Sequence, residues 1–159
     1  MTDVLGIKHI AFAVRDAEAA LKRYQTVMGL GHGATVRTLE RAGSREAHFM
    51  VGNVQYQLCQ SIEPDGRFAR HIERYGESVH HICYSVANVE AAQAAALAAG
   101  ATLKECQSCR ITGIHEHPEG WICFLQDGNV PGADVELMQV YRSLDEVPER
   151  FKDRFKAGI

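Results

Sequence analysis

The sequence predicts an α+β protein assembled from two copies of one βαβββ module. Three observations carry this. Lys8-His-Ile-Ala-Phe-Ala-Val14 and His80-His-Ile-Cys-Tyr-Ser-Val86 are near copies of one another, each alternating with the period of a strand. Each is followed by a helix-capping side chain, Asp16 or Asn88, opening an alanine-rich stretch that ends at a glycine. Each of those helices is then followed by three strand-like segments.

In the first module, about residues 6–62, Ile7–Val14 places His9, Ala11 and Ala13 on one face and Ile10, Phe12 and Val14 on the other. Ala17, Ala20, Leu21, Tyr24, Val27 and Met28 form a helical stripe closed by Gly29. Strands are expected at Ala34–Leu39, Glu46–Val51 and Val54–Ser61, the last two joined by the tight turn Gly52-Asn53. Pro64-Asp65-Gly66 then breaks the pattern, and Phe68, Ile72 and Tyr75 mark a linker helix over 66–75. The second module, 79–141, repeats the order: strand Val79–Val86, helix from Asn88 to Ala99, then strands near Thr102–Cys106, Trp121–Leu125 and Asp134–Val140. Residues 142–159 form a helical tail. Ser143-Leu-Asp-Glu146 reads as a capping box, and Leu144, Val147, Phe151 and Phe155 share a face to be buried on the sheet or on a partner subunit.

The 159 residues suit a single domain over 1–141 plus this tail. A net charge of −3 gives no general electrostatic case for nucleic acid or an anionic membrane. No basic-then-apolar leader is visible, and no window reaches the ~18 apolar residues of a membrane span. Five cysteines, an odd number, point to reduced thiols and a cytoplasmic protein. Cys106 and Cys109 form a C-x-x-C pair near His115 and His117, but the H-x-H spacing does not match a zinc finger, so these four are expected simply in or near strand ends.

Each module offers two polar residues on an inward face, one on its first strand and one on its last: His9 and Gln57, then His81 and Glu136. Gln55 and Gln57 share a face opposite Tyr56 and Leu58; Asp134 and Glu136 share one opposite Val135 and Leu137. Two halves related by a pseudo-two-fold would bring the four to one point. Two imidazoles, a carboxylate and an amide oxygen suit a divalent first-row ion, Co, Mn, Zn, Ni or Fe, rather than Mg or Ca. Buried Glu136 is costly without a partner, and a metal is a natural one. Alternation points His80 away from His81, while His32 and His71 are expected in an exposed loop and helix and His48 on a strand without a role.

These residues resemble the vicinal-oxygen-chelate superfamily, the glyoxalase and bleomycin-resistance fold, over roughly residues 6–141. Within it the chain looks most like the methylmalonyl-CoA epimerases. The matching stretches are Lys8–Val14, Val51-Gly-Asn53 with Gln57-Leu58, Gly76–Ile82, Phe124-Leu125 and Val135-Glu-Leu137. The resemblance implies a cupped, mostly antiparallel sheet holding a metal on His9, Gln57, His81 and Glu136, and a homodimer. It implies proton transfer at a carbon α to a carbonyl, through a metal-stabilised enolate, on a substrate such as an acyl-CoA. Two acid–base groups are needed for that: Glu136 resembles one, and Glu40, one place from the family's position, is taken as the other. Gly113-Ile-His115 resembles a loop that touches substrate, with Glu116–Gly120 extended.

Alternatives within the superfamily remain. A glyoxalase I-like lyase would want glutamate where Gln57 stands. Another carbonyl epimerase fits the altered region around Glu40 and Arg41. An Fe(II) extradiol-type dioxygenase needs only His9, His81 and Glu136. A metal-free small-molecule-binding protein would not need the four ligands.

Overall fold

The computed structural model describes residues 3–126 and 128–156, and there the chain packs as two compact units. One comprises Ile7–Ile82. The other comprises residues up to Gly6 together with those from Cys83 onward.

In the first unit, β1 (Val4–Ala13) leads through α1 (Ala17–Arg23) to β2 (Arg37–Leu39), β3 (Ser44–Val51) and β4 (Val54–Ser61). Then come α2 (Arg67–Tyr75) and the opening of β5 (Ser78–Val86). The strand order is β2-β3-β4-β1-β5. β3 and β4 form the expected antiparallel hairpin around Gly52-Asn53, and β4 runs parallel to β1, pairing Ala11 with Gln57. Asp16 caps α1, accepting from the Glu18 and Ala19 amides. The last turn widens into a π-turn over Tyr24–Met28 that ends at Gly29 with φ 67°. α1 covers one sheet face, where Val14, Leu21, Ala47, Phe49 and Leu58 are buried. α2 covers part of the other, seating Phe68 and Ile72 on Ala11, Ala13 and Cys59. β2 is shorter than the predicted Ala34–Leu39, because only Arg37–Leu39 find partners on β3.

The second unit continues from β5 into α3 (Val89–Ala98), capped by Asn88. Its strands are β6 (Leu103–Cys106), β7 (Ile111–Thr112), β8 (His115–His117), β9 (Gly120–Leu125) and β10 (Asp134–Val140). The order is β5-β10-β9-β6-β7, with β8 also on β9. α3 packs on Val86, Cys123, Leu125, Val135 and Leu137. The opposite face buries Cys83, Cys106, Ile122 and Met138. β7 and β8 lie where the sequence suggested only a loop: two or three residues are too few for an alternation to show, and pairing with β6 and β9 makes them strands.

The tail differs from expectation. In place of one helix from Ser143 there are two 3₁₀ turns, Leu144–Glu146 and Glu149–Phe151, and a short α4 (Lys152–Lys156); residues 157–159 lie outside the described residues. Pro148 forces Val147 to extended geometry, ψ 124°, which stops the helix. The capping box does not form: Glu146 accepts from the Arg142 amide at 2.8 Å, one residue ahead of the cap position, and the Ser143 side chain makes no capping bond. The tail packs on its own unit, burying Val147, placing Phe155 on Tyr141 and pairing Arg150 with Glu116. Among the described residues no helix is long and apolar enough to cross a membrane.

Candidate metal centre and proton-transfer groups

Neighbouring strands β1 and β5 bring the two repeated histidines together. His9 is 5% exposed and His81 9%, and their Nε2 atoms lie 3.1 Å apart. Two imidazole lone pairs directed at one point repel unless a proton or a cation lies between them. Two nitrogens each ~2.1 Å from one ion, at tetrahedral to octahedral angles, are about 3.0–3.4 Å apart. The observed spacing fits a shared ion. His81 Nδ1 is held at 2.9 Å from His80 Nδ1, so His80, which the alternation points away, supports the His81 ring from behind. His71 is half-buried rather than exposed, because its ring packs on His80 and Tyr75; His32 is exposed as expected.

Gln57 is buried on the same face of the first unit as His9, one strand over. Its amide nitrogen donates to Gln55 Oε1 at 2.8 Å, so the atom of this side chain that suits a cation is its carbonyl oxygen. In the second unit Glu136 lies mid-β10, paired with Phe124 and 3% exposed.

Glu40 does not reach that face: it is exposed in a 3₁₀ turn after β2. The buried carboxylate of this hairpin is Glu46 on β3, 8% exposed, and sequence reasoning passed over it. Its register partner is Cys59, and two residues on, His48 stands opposite Gln57. Glu46 Oε1 accepts from Ser44 Oγ at 2.6 Å, and Oε2 contacts His48 Nε2 at 2.7 Å. Burial pushes this carboxyl up, but the hydrogen bonds from His48 and Ser44 outweigh it and hold the group below its ordinary value. It is a fixed, ionised base on the Gln57 face. The signal that could have found it is alternation: Glu46, His48 and Met50 share a face, which made Glu46 the one carboxylate on β3.

His115 is buried in β8. Its Nδ1 lies 2.8 Å from Gly113 O, and the ring sits against the Cys106 thiol. Burial alone would lower its pKa, but the thiol and the Gly113 carbonyl raise it. Burial raises Cys106 as well, while His115 and the backbone N–H groups of Cys109 and Ser108 bring it below the usual thiol range. Burial and the neighbouring Cys106 push Cys109 up to about 11. The four residues expected merely near strand ends are thus partly a cluster, from which His117 is set apart.

Residues 8–115 match the Glyoxalase/Bleomycin resistance protein/Dioxygenase superfamily. The chain belongs to this superfamily. It is 30% identical over 135 residues to the ethylmalonyl-CoA/methylmalonyl-CoA epimerase of Cereibacter sphaeroides, covering 84% of this chain and 97% of that protein. The crystal structure of methylmalonyl-CoA epimerase from Mycobacterium tuberculosis superposes with a TM-score of 0.71 at 20% identity, covering 89% of this chain and 92% of the other. A methylmalonyl-CoA epimerase in complex with methylmalonyl-CoA and NH4+ superposes at 0.68 with 23% identity, covering 92% and 100%.

Proposed function

We propose that this protein is a metal-dependent epimerase that moves the proton α to the thioester carbonyl of a short branched acyl-CoA, methylmalonyl-CoA or a close analogue. The observation that carries the reading is the pair of buried imidazoles, His9 and His81, with Nε2 atoms 3.1 Å apart. The 30% identical relative bears an epimerase name, which supports the reaction class.

By the superfamily resemblance, His9, Gln57, His81 and Glu136 would hold a divalent first-row ion. When bound, the ion supplies a Lewis acid that draws electron density from the carbonyl oxygen and acidifies the α-carbon. Gln55 orients the Gln57 amide so that its oxygen is presented. Epimerisation requires removal of a proton from one face of the α-carbon and return to the other, so two acid–base groups are needed. Glu136 serves one face. Glu46 serves the other in place of Glu40, because Glu46 is buried, ionised and positioned by Ser44 and His48, whereas Glu40 stands in solvent. The protein works as a homodimer in the cytoplasm; none of its five cysteines is in a disulfide, which suits a reducing compartment.

The test is metal content of the purified protein, followed by exchange of the α-proton of methylmalonyl-CoA with solvent deuterium. About one equivalent at this centre and exchange with inversion are expected for the wild type, with His81→Ala and Glu136→Ala losing both on an intact fold. Full metal retention at the centre in both variants would remove the ligand assignment; metal without exchange would remove the substrate.

A further inference from the structure

We infer that Cys106, Cys109 and His115 form a second metal site, for a thiophilic divalent cation of the zinc type, separate from the centre above and not dependent on that reading. Cys106 Sγ, Cys109 Sγ and a ring nitrogen of His115 lie within 4.8 Å of one another. A tetrahedral ion bound at ~2.3 Å to sulfur and ~2.1 Å to nitrogen holds such donors about 3.5–3.8 Å apart. The cluster therefore needs to close by only about an ångström, within side-chain torsions.

The backbone is arranged for it. The hairpin from β6 to β7 turns over Cys106–Arg110, with the Arg110 amide donating to Cys106 O at 2.7 Å. Arg110 takes φ 59°, the only positive φ at a non-glycine position among the described residues. That turn directs the N–H groups of Ser108 and Cys109 at Cys106 Sγ, a fixed source of positive potential for a coordinated thiolate. β8 supplies the third ligand through its pairing with β9, where His115 faces Ile122. Its Nδ1–H donates to the Gly113 carbonyl, which leaves Nε2 as the lone-pair nitrogen. That Nε2 is buried in a residue only 5% exposed and meets no nitrogen or oxygen donor among the described residues; the group it faces is the Cys106 thiol. A buried imidazole lone pair set against a thiol is a ready nitrogen-and-sulfur donor pair for a soft cation. Cys109 is half-buried and gives solvent access, so the fourth position is open to water or a small solute. Two soft thiolates and one imidazole select zinc-like ions over magnesium or calcium. Bound metal would tie β6 to β8 across the turn. This role takes His115 as a ligand in place of the substrate contact that the sequence suggests.

The experiment is a Co2+ titration of chelator-stripped protein kept under reductant. A near-ultraviolet thiolate-to-cobalt charge-transfer band is expected, complete by about two equivalents because the His9 centre takes cobalt as well. The band should disappear in Cys106→Ser and in Cys109→Ser, the latter a half-exposed position whose replacement leaves the core in place. It should survive in Cys83→Ser, Cys123→Ser and His9→Ala, and His115→Ala should weaken Co2+ binding by at least about tenfold. Zn2+ should slow iodoacetamide alkylation of Cys106 and Cys109 and leave Cys59, Cys83 and Cys123 unchanged. Absence of the band at saturating Co2+, or a band that persists in Cys109→Ser, overturns the site. A Cys106–Cys109 disulfide that forms on removing reductant, with no metal uptake beforehand, also overturns it and makes the pair a redox couple.

Discussion

Replacing Glu46 by glutamine keeps the shape of the side chain and removes its ability to take a proton. The carboxylate holds Ser44 Oγ at 2.6 Å and His48 Nε2 at 2.7 Å, and the amide oxygen can still accept one of these bonds. Loss of a charge-assisted hydrogen bond costs about 1.5–3 kcal/mol, partly offset because a buried charge is gone. Loss of a positioned base costs about 10²–10⁴ in rate, or roughly 3–5 kcal/mol of barrier. The catalytic effect therefore exceeds the structural one and can be read on folded protein. The assay follows both epimers of methylmalonyl-CoA in deuterated solvent with metal supplied. Glu46→Gln should lose epimerisation by that factor, yet one epimer should still exchange its α-proton without inversion. The remaining carboxylate can remove and return a proton on its own face only. Glu40→Gln should match the wild type. An undiminished epimerisation rate in Glu46→Gln, or equal collapse in Glu40→Gln, would refute the assignment.

The same carboxyl shapes the pH dependence of stability. A carboxyl depressed in the folded state contributes stability that is present above its unfolded value of about 4.5 and is lost as pH falls through the lower folded value. Denaturant titrations across about pH 7 to 3 should show a shallower acid loss in Glu46→Gln than in the wild type. A Cβ at Gly120 would lie 2.3 Å from Gln139 O and 2.9 Å from its carbonyl carbon, both backbone atoms of the paired strand. Gly120→Ala should therefore cost roughly 1–3 kcal/mol. At this chain length that is a fall of about 3–10 °C in Tm, checked by calorimetry. Asp16→Ala removes the acceptor of two amides at 3.0 Å and should cost about 1 kcal/mol in urea unfolding, with metal content unchanged.

Local chemistry was enough to make much of this protein legible. The βαβββ order, the caps Asp16 and Asn88, the Gly52-Asn53 hairpin and the faces of β1, β4 and β10 follow from period and turn chemistry, which act over a few residues. So did the matched positions of His9 and His81, because a repeated strand start repeats the direction of its side chains. Three things needed the tertiary structure. Glu46 gained its standing from Ser44, His48 and burial, while the nearer family match, Glu40, was left in solvent. The tail's break at Pro148 and its docking on Tyr141 and Glu116 depended on a surface that the linear pattern does not show. The convergence of Cys106, Cys109 and His115 came from β7 and β8, strands too short to carry a periodic signal and formed only because β6 and β9 were already there to pair with them. A chain can encode which way a side chain points through its neighbours in sequence, but which groups meet is set by strand pairing between segments far apart.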